Sequence, residues 1–167
     1  MAPAFAIAEG YLGDWAVQTG SGDSLTLHEA LGSAPATLVA IVASNNQENG
    51  QTQQKDLLDM HQQLAEISDD LPPILHLSII AGAPRLVHGF IRRGIAGEYA
   101  SPVQEDDVLL MFTRDYNDFT AASGLAVDDY GTWVLVDEKG QILWSEKQTD
   151  ALNSDLVLRQ IQALGGL

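Results

Sequence analysis

Three of the five arginines of this chain lie in one short segment together with a histidine. Their spacing places all four residues on one face of a helix. They are Arg85, His88, Arg92 and Arg93. Guanidinium groups bind carboxylates and phosphates through forked hydrogen bonds, so this face could clamp an anionic ligand or an acidic segment of a partner. Alternatively, the arginines offset nearby acids or cover apolar surface with their stems.

Side chains with oxygen ligands are concentrated in two other segments. The first holds Asn45, Asn46, Gln47, Glu48 and Asn49, and the second holds Asp128, Asp129 and Tyr130. Carboxylate and amide oxygens suit a hard cation such as calcium, with Glu48, Asp128 and Asp129 supplying the charge. The ligand alternation of an EF-hand loop is missing. The alternative is two solvated loops in which Asn, Asp and Gly serve the geometry of turns.

The sequence gives little indication of other kinds of catalytic site. The chain contains no cysteine, which excludes a thiol nucleophile, a disulfide and a thiolate metal site. The four histidines are not spaced as metal ligands, and His76 falls within a predicted strand, where we expect a structural role. Nothing places a serine, a histidine and an aspartate together, and we predict no cofactor.

The charge of the chain limits its partners. There are 23 acidic and 8 basic residues, which gives a formal net charge of -15. Without a basic surface, we expect no binding to nucleic acid or anionic lipid. No apolar run approaches the roughly 18 residues of a membrane span. With 167 residues, 46% of them hydrophobic, the chain is expected to form one globular domain.

The start of the sequence alternates small and apolar residues over residues 1–8, like the end of a secretory cleavage region. We therefore expect an extended N-terminal segment over residues 1–13 and a periplasmic or otherwise exported protein. A cytoplasmic protein with a frayed N-terminus is the alternative.

Hydrophobic patterning predicts the elements that must position these residues. Continuous apolar runs predict buried strands, spacing of three and four predicts amphipathic helices, and Gly/Asp turns predict hairpins. The predicted order is a hairpin (15–19 and 24–27), a helical turn (28–31), a strand (37–43), a polar loop (44–50), a helix with a glutamine-rich exposed face (51–67), a strand (74–80), a helix (84–93), a strand (108–112), a short helix (115–123), a hairpin (132–136 and 141–144) and a helix (153–164). This order predicts an α/β mixed sheet with helices on both faces.

Three segments in this order resemble a thioredoxin-like domain, in the subgroup of peroxiredoxins and exported thiol–disulfide oxidoreductases. Residues 22–32 resemble its hairpin-to-turn segment, residues 37–44 its strand leading to the cysteine motif, and residues 131–140 its strand and turn near the cis-proline. A smaller similarity, over residues 90–93 and 133–164, is to the YtfJ-type periplasmic proteins. The resemblance implies a thioredoxin-like mixed sheet flanked by helices, with an N-terminal β-hairpin, as a single domain over residues 14–167.

The reactive residues of that subgroup are missing. The resemblance places Asn46 and Asn49 at the positions of its two cysteines and Gly131 at the position of its cis-proline. An amide forms no thiolate, so we expect no thiol redox activity. The thioredoxin-like fold would also bring residues 45–49 beside residues 128–131 at one end of the sheet.

The function expected from these observations is partner recognition. We predict a redox-inactive thioredoxin-like domain that binds a protein or peptide partner in the degenerate active-site groove, with the arginine–histidine face as a second contact surface. One alternative is a metal-assisted enzyme or metal-binding protein that uses Glu48, Asp128 and Asp129. Another is a structural subunit that pairs through an edge strand. Whether the protein is an enzyme, and its oligomeric state, stay open at this point.

Overall fold

The computed structural model describes residues 10–99 and 102–165 of the chain. These residues form seven strands: β1 (Ala16–Thr19), β2 (Ser24–Thr26), β3 (Thr37–Ala43), β4 (Ile74–Ala81), β5 (Val108–Thr113), β6 (Thr132–Val136) and β7 (Ile142–Lys147). They also form five α-helices: α1 (Leu27–Leu31), α2 (Gln47–Ile67), α3 (His88–Tyr99), α4 (Asn117–Ser123) and α5 (Ser154–Gly165).

The strands form one mixed sheet in the order β2-β1-β5-β4-β3-β6-β7. At its centre, β3, β4 and β5 run parallel, because the chain crosses over through α2 and α3 between them. The hairpin β1–β2 adds to one side and the hairpin β6–β7 to the other, and their inner strands, β1 and β6, pair antiparallel with β5 and β3. The predicted mixed sheet with an N-terminal hairpin is therefore confirmed.

Helices cover both faces of the sheet, as predicted. On one face, Leu57 and Leu64 of α2 and Ile161 of α5 pack against Leu38 of β3 and Trp133 of β6. Tyr99 of α3 packs on the same face, against Val108 and Leu110 of β5. On the opposite face, Leu27 and Leu31 of α1 and Phe119 of α4 complete a second apolar layer. Because β3 is covered on both faces, it is buried at every position and apolar except at Thr37.

Two predicted helix boundaries are wrong. The expected polar loop over 44–50 is mostly helix, because Asn46 accepts a hydrogen bond from the backbone N–H of Asn49 at 2.8 Å and so starts α2 at Gln47. The helix expected over 84–93 is a 3-10 turn, Arg85–Val87, followed by α3, which continues to Tyr99. It passes through Gly94 and Gly97, since neither glycine adopts a positive φ that would end it.

The glutamine-rich face of α2 is also not all exposed, contrary to the prediction. Gln53 and Gln54 are buried, with 1% and 5% of their surface accessible. Both lie within a turn of Leu57, on the side of the helix that packs on the sheet. A buried amide needs hydrogen-bond partners, and those partners define the site described below.

Part of the expected N-terminal segment packs on the domain. Leu12 is fully buried, Tyr11 bridges to Gln141, and the carbonyl of Gly10 accepts a hydrogen bond from the backbone N–H of Ile142. Residues 1–9 lie outside the described residues. No helix in the described ranges has the length and apolar character needed to cross a membrane.

Candidate functional site

One stripe of α2 runs along the segment that precedes β6. Its side chains Asn49, Gln53 and Leu57 are four residues apart and so share a helix face. The Nδ2 atom of Asn49 donates to the carbonyl of Asp129 at 2.9 Å, and the Nε2 atom of Gln53 donates to the carbonyl of Asp128 at the same distance. The structure therefore brings the N-terminal turn of α2 together with residues 128–131.

Gln53 joins three parts of the fold at this point. Its Oε1 atom accepts the backbone N–H of Ala43 at 3.1 Å, where β3 ends. Its Nε2 atom lies 3.0 Å from the carbonyl of Ala43 and 2.8 Å from Oδ1 of Asn49. Sequence analysis missed Gln53 because a glutamine among polar neighbours gives no burial signal. Its position four residues before Leu57 was the available clue.

Gly131 is required by packing against the same stripe. A Cβ atom at this position would lie 2.6 Å from Cδ1 and 2.9 Å from Cγ of Leu57, whose side chain is fully buried. Real Cβ atoms do not approach so closely, so only glycine fits beside Leu57. None of the described peptide bonds is cis. The resemblance places Gly131 at the cis-proline position of the thioredoxin-like subgroup. In this protein the glycine allows Leu57 of α2 to pack closely against the segment before β6.

The carboxylates of the expected metal alternative do not converge. Lys147 Nζ lies 3.2 Å from Oδ1 of Asp128 and donates to the carbonyl of Ala126 at 2.7 Å. Glu48 points to solvent from the first turn of α2. Over residues 10–99 and 102–165 no group of three or more His, Cys, Asp or Glu side chains is placed to hold a metal ion. The structure therefore gives the metal alternative at Glu48, Asp128 and Asp129 no support.

A groove opens on the other side of α2, between α2 and α3, with a volume of about 480 Å³. We call it the α2–α3 groove. Its floor is the end of β4, Ser78 to Ala81, and its mouth is formed by Asn45, Asn46, Gln47 and Tyr116. Asn49 and residues 128–131 do not line it. The expected single groove is thus divided: residues 45–47 face open space, while Asn49 is hydrogen-bonded to the segment before β6.

Both walls of the groove carry a glycine within a helix. Gly50 of α2 and Gly94 of α3 line it. A Cβ at Gly94 would meet nothing within 4 Å, and one at Gly50 would lie 3.7 Å from Cβ of Ser44. Alanine would fit at both positions, and glycine costs about 0.5–1 kcal/mol relative to alanine inside a helix. The missing side chains therefore widen the groove at the expense of helix stability.

The groove continues into exposed apolar surface on the 3-10 turn and the first turn of α3. Phe90 lines the groove and is 75% exposed, and Leu86, one turn earlier, is 98% exposed. Val87 between them is also exposed. Large apolar side chains grouped on a surface mark an interaction site more often than scattered ones do. Sequence analysis assigned these residues no role, because exposure of one face of α3 cannot be read from its short pattern.

Polar contacts hold the shape of the groove. Gln54 Nε2 donates to Oε2 of Glu98 at 3.1 Å and so connects the two walls. At the mouth, the hydroxyl of Tyr116 donates to the carbonyl of Ser44 at 2.7 Å. Burial raises the pKa of Tyr116, which keeps this hydroxyl protonated as a donor. The mouth and the helix walls are therefore fixed relative to the sheet.

The arginine–histidine face is not a single surface. His88 Nε2 lies 2.9 Å from the carbonyl of Ala83, and its ring stacks on Phe112 with centroids 3.8 Å apart. Arg92 Nη1 donates to the carbonyl of Gly20, in the β1–β2 turn, at 2.7 Å. Arg85 and Arg93 are exposed. The expectation that all four residues present one clamp is therefore corrected: His88 and Arg92 stabilise the fold itself.

A buried aromatic cluster lies on the same face of the sheet. His76 of β4 is fully buried, its ring centroid 4.8 Å from that of Tyr99 and 6.3 Å from that of Trp133. Burial lowers the pKa of His76 to about 3 and raises the pKa of Tyr99, so both side chains stay neutral. Burial also lowers the pKa of His61, which stacks on His76.

Comparison with known proteins supports a fold assignment. No family model matches the chain, and no curated protein is similar in sequence. Solved structures do match. A SCO1/SenC family lipoprotein from Bacillus anthracis has a TM-score of 0.66 at 10% identity, covering 94% of this chain and 96% of that one.

Two further structures have the same architecture. A thiol peroxidase from Chromobacterium violaceum has a TM-score of 0.59 at 16% identity, covering 95% of this chain and 87% of that one. The exposed lipoprotein thioredoxin Etrx1 from Streptococcus pneumoniae has a TM-score of 0.53 at 12% identity, covering 93% and 100%. The chain therefore has a thioredoxin-like fold, and it contains no cysteine with which to perform thiol chemistry.

Proposed function

We propose that this thioredoxin-like chain is a redox-inactive binding module that holds a segment of a partner protein in the α2–α3 groove. The observation that carries the proposal is the groove itself, about 480 Å³ in volume, with a helical glycine in each wall. Its volume lies in the range of ligand-binding clefts. It opens beside Asn46, which the sequence resemblance places at the position of an attacking cysteine.

A protein partner is favoured over a small molecule by the surface around the groove. Phe90 and Leu86 extend the apolar contact beyond the cavity, where a small ligand would not reach. An amphipathic segment that lies in a groove between helices uses this combination of a cleft and a neighbouring apolar surface. Binding rather than catalysis is favoured because the described residues that line the groove include no histidine, no cysteine and a single carboxylate.

The test uses two matched substitutions in α3. Gly94→Leu would fill the groove, whereas Gly97→Leu makes the same chemical change at a position that does not line it. Added Cβ atoms at both positions meet open space, and leucine favours the helix over glycine, so neither variant should lose stability. The two variants and the unmodified protein are immobilised, and proteins retained from an extract of the native cells are quantified.

We expect at least one protein to be retained by the unmodified chain and by Gly97→Leu, but not by Gly94→Leu. Retention that is equal on all three would show that any captured protein binds elsewhere, and would refute the proposal. Retention lost on both variants would refute it as well, because it would place the contact on α3 in general.

We also propose that the protein is exported from the cytoplasm. This proposal is supported by two of the structures with this fold, which are described as lipoproteins. Fractionation of the native cells, with an antibody against this chain, should recover it with exported proteins. Recovery with the cytoplasmic fraction would contradict this part of the proposal and leave the groove unaffected.

A further inference from the structure

We infer that the segment held in the α2–α3 groove carries a lysine or arginine next to apolar side chains, and that Glu98 is the residue that recognises the cation. The inference rests on the proposed function, because it names the chemistry of the partner that the groove would hold. It concerns a residue of α3 that the sequence analysis did not single out.

The first support is the charge of the lining. Glu98 is the one charged residue among the described residues that line the groove. The remaining lining is apolar, including Ile91 and Ile95 on the same wall, or carries neutral amides and hydroxyls. Glu98 is exposed, so a cation can reach its carboxylate, and the apolar wall beside it strengthens that attraction relative to a carboxylate surrounded by water on all sides.

The second support is that no cation among the described residues neutralises the carboxylate of Glu98. Its Oε2 atom accepts a hydrogen bond from Gln54 at 3.1 Å, which orients the group without removing its charge. None of the ion pairs found among the described residues includes Glu98. No described residue donates a hydrogen bond to the Oε1 atom, so the carboxylate is oriented and still able to accept a hydrogen bond from an ammonium or guanidinium group.

The third support is that the cations of α3 lie away from the groove. Arg92 is bound to the carbonyl of Gly20 in the β1–β2 turn, and neither Arg92 nor Arg93 lines the groove. Their positions on the helix are separated from Glu98 by more than a quarter turn. They therefore do not repel a cationic segment at the groove, and the net charge of -15 attracts one at long range.

The experiment measures peptide binding by fluorescence anisotropy. The probes are two pools of dye-labelled peptides built from leucine, isoleucine and phenylalanine around one central residue. That residue is lysine in the first pool and glutamine in the second. Each pool is titrated with the unmodified protein, Glu98→Gln, Glu48→Gln and Gly94→Leu. Glu48 is the matched control, since it is exposed on α2, lies outside the groove and loses the same charge.

We expect the unmodified protein to bind the lysine pool about fivefold more tightly than the glutamine pool, a size typical of one accessible ion pair. The preference for the lysine pool should vanish in Glu98→Gln and persist in Glu48→Gln. Gly94→Leu should bind neither pool. In Glu98→Lys, a third pool with central glutamate should replace the lysine pool as the preferred one. Circular dichroism confirms that each variant is folded.

Three results would overturn the inference. In the first, the unmodified protein binds both pools equally and Gly94→Leu binds neither. The groove would then bind apolar segments without discriminating between charged and neutral residues, and the proposed function would stand. A lysine preference that survives Glu98→Gln would mean that the net charge alone attracts the peptides. Absence of binding by either pool would refute the cationic segment, while the capture experiment judges the groove separately.

Discussion

The Nδ1 atom of His61 lies 2.8 Å from the Nε2 atom of His76, so one proton is shared between two stacked imidazoles. The Nδ1 atom of His76 is buried and has no hydrogen-bond partner among residues 10–99 and 102–165. An unpaired buried N–H costs more than an unpaired acceptor nitrogen, so we infer that His76 carries its hydrogen on Nε2 and donates to His61. The pair is thus built for two neutral rings, and protonation of both would place two positive charges side by side.

Acid should therefore destabilise the protein through His76. Its pKa is about 3 in the folded protein, far below the ordinary value of about 6.5, so the unfolded chain alone takes up the proton between these values. Stability falls as the pH falls, by about 2 kcal/mol between about pH 7 and about pH 5 for this one group. Urea unfolding across this range should show the slope, and His76→Leu should remove most of it. An equal slope in the variant would contradict the assignment.

Substitution of Gln53 should lower the free energy of unfolding more than substitution of an exposed glutamine does. Gln53→Leu leaves the backbone N–H and carbonyl of Ala43 without these partners in a buried position, and the carbonyl of Asp128 without its partner in a partly buried one. We expect a loss of about 2–3 kcal/mol in the free energy of unfolding, measured with urea. Gln62→Leu, at an exposed position of the same helix, should change it by less than about 0.5 kcal/mol. Similar effects of the two changes would show that the Gln53 contacts contribute little.

An alanine at Gly131 should be destabilising because of Leu57 alone. Gly131→Ala is expected to cost about 1–3 kcal/mol through overpacking. Leu57→Ala removes the obstructing atoms and costs about 2–5 kcal/mol by itself. The double variant should lose less stability than the sum of the two single losses. We expect a coupling energy of about 1 kcal/mol or more in a double-mutant cycle. Additive losses would mean that the strain arises elsewhere.

Arg92 and Arg93 are neighbours, but we expect them to contribute differently to the free energy of unfolding. Arg92→Ala removes the hydrogen bond to the carbonyl of Gly20 and should lower the free energy of unfolding by about 1–2 kcal/mol. Arg93→Ala, at an exposed site, should change it by less than about 0.5 kcal/mol. Thermal or urea unfolding of both variants distinguishes this from a surface clamp, in which the two losses of stability would be equally small.

The fold could be predicted because its central strands are buried on both faces. The run at 37–43 is apolar after Thr37 and buried at every position, and its strand, β3, occupies those residues. The start of α2 could not be predicted in the same way. Asn46 accepts a hydrogen bond from the N–H of Asn49 and so caps the helix. A helix start of this kind and a polar loop are both rich in Asn and Gln, so the sequence alone does not distinguish them.

The site could be predicted only in part. The resemblance predicted that Asn49 would lie near residues 128–131, and the hydrogen bond from Asn49 to Asp129 has that geometry. It did not predict that this contact closes one side of α2 while the groove opens on the other. That outcome depends on the lateral packing of α3 against α2, and neither the glycine at position 94 nor the carboxylate of Glu98 carries a periodic signal from which it could be read.

Helix α3 contains three glycines among its twelve residues, at positions 89, 94 and 97. Each lowers the intrinsic helical preference by about 1 kcal/mol relative to alanine, so this helix owes its order to its contacts with the sheet. Its amide hydrogens should exchange with deuterated solvent sooner than those of α2, through brief local unfolding. A bound segment would slow that exchange, and the protection of these amides would then report occupancy directly.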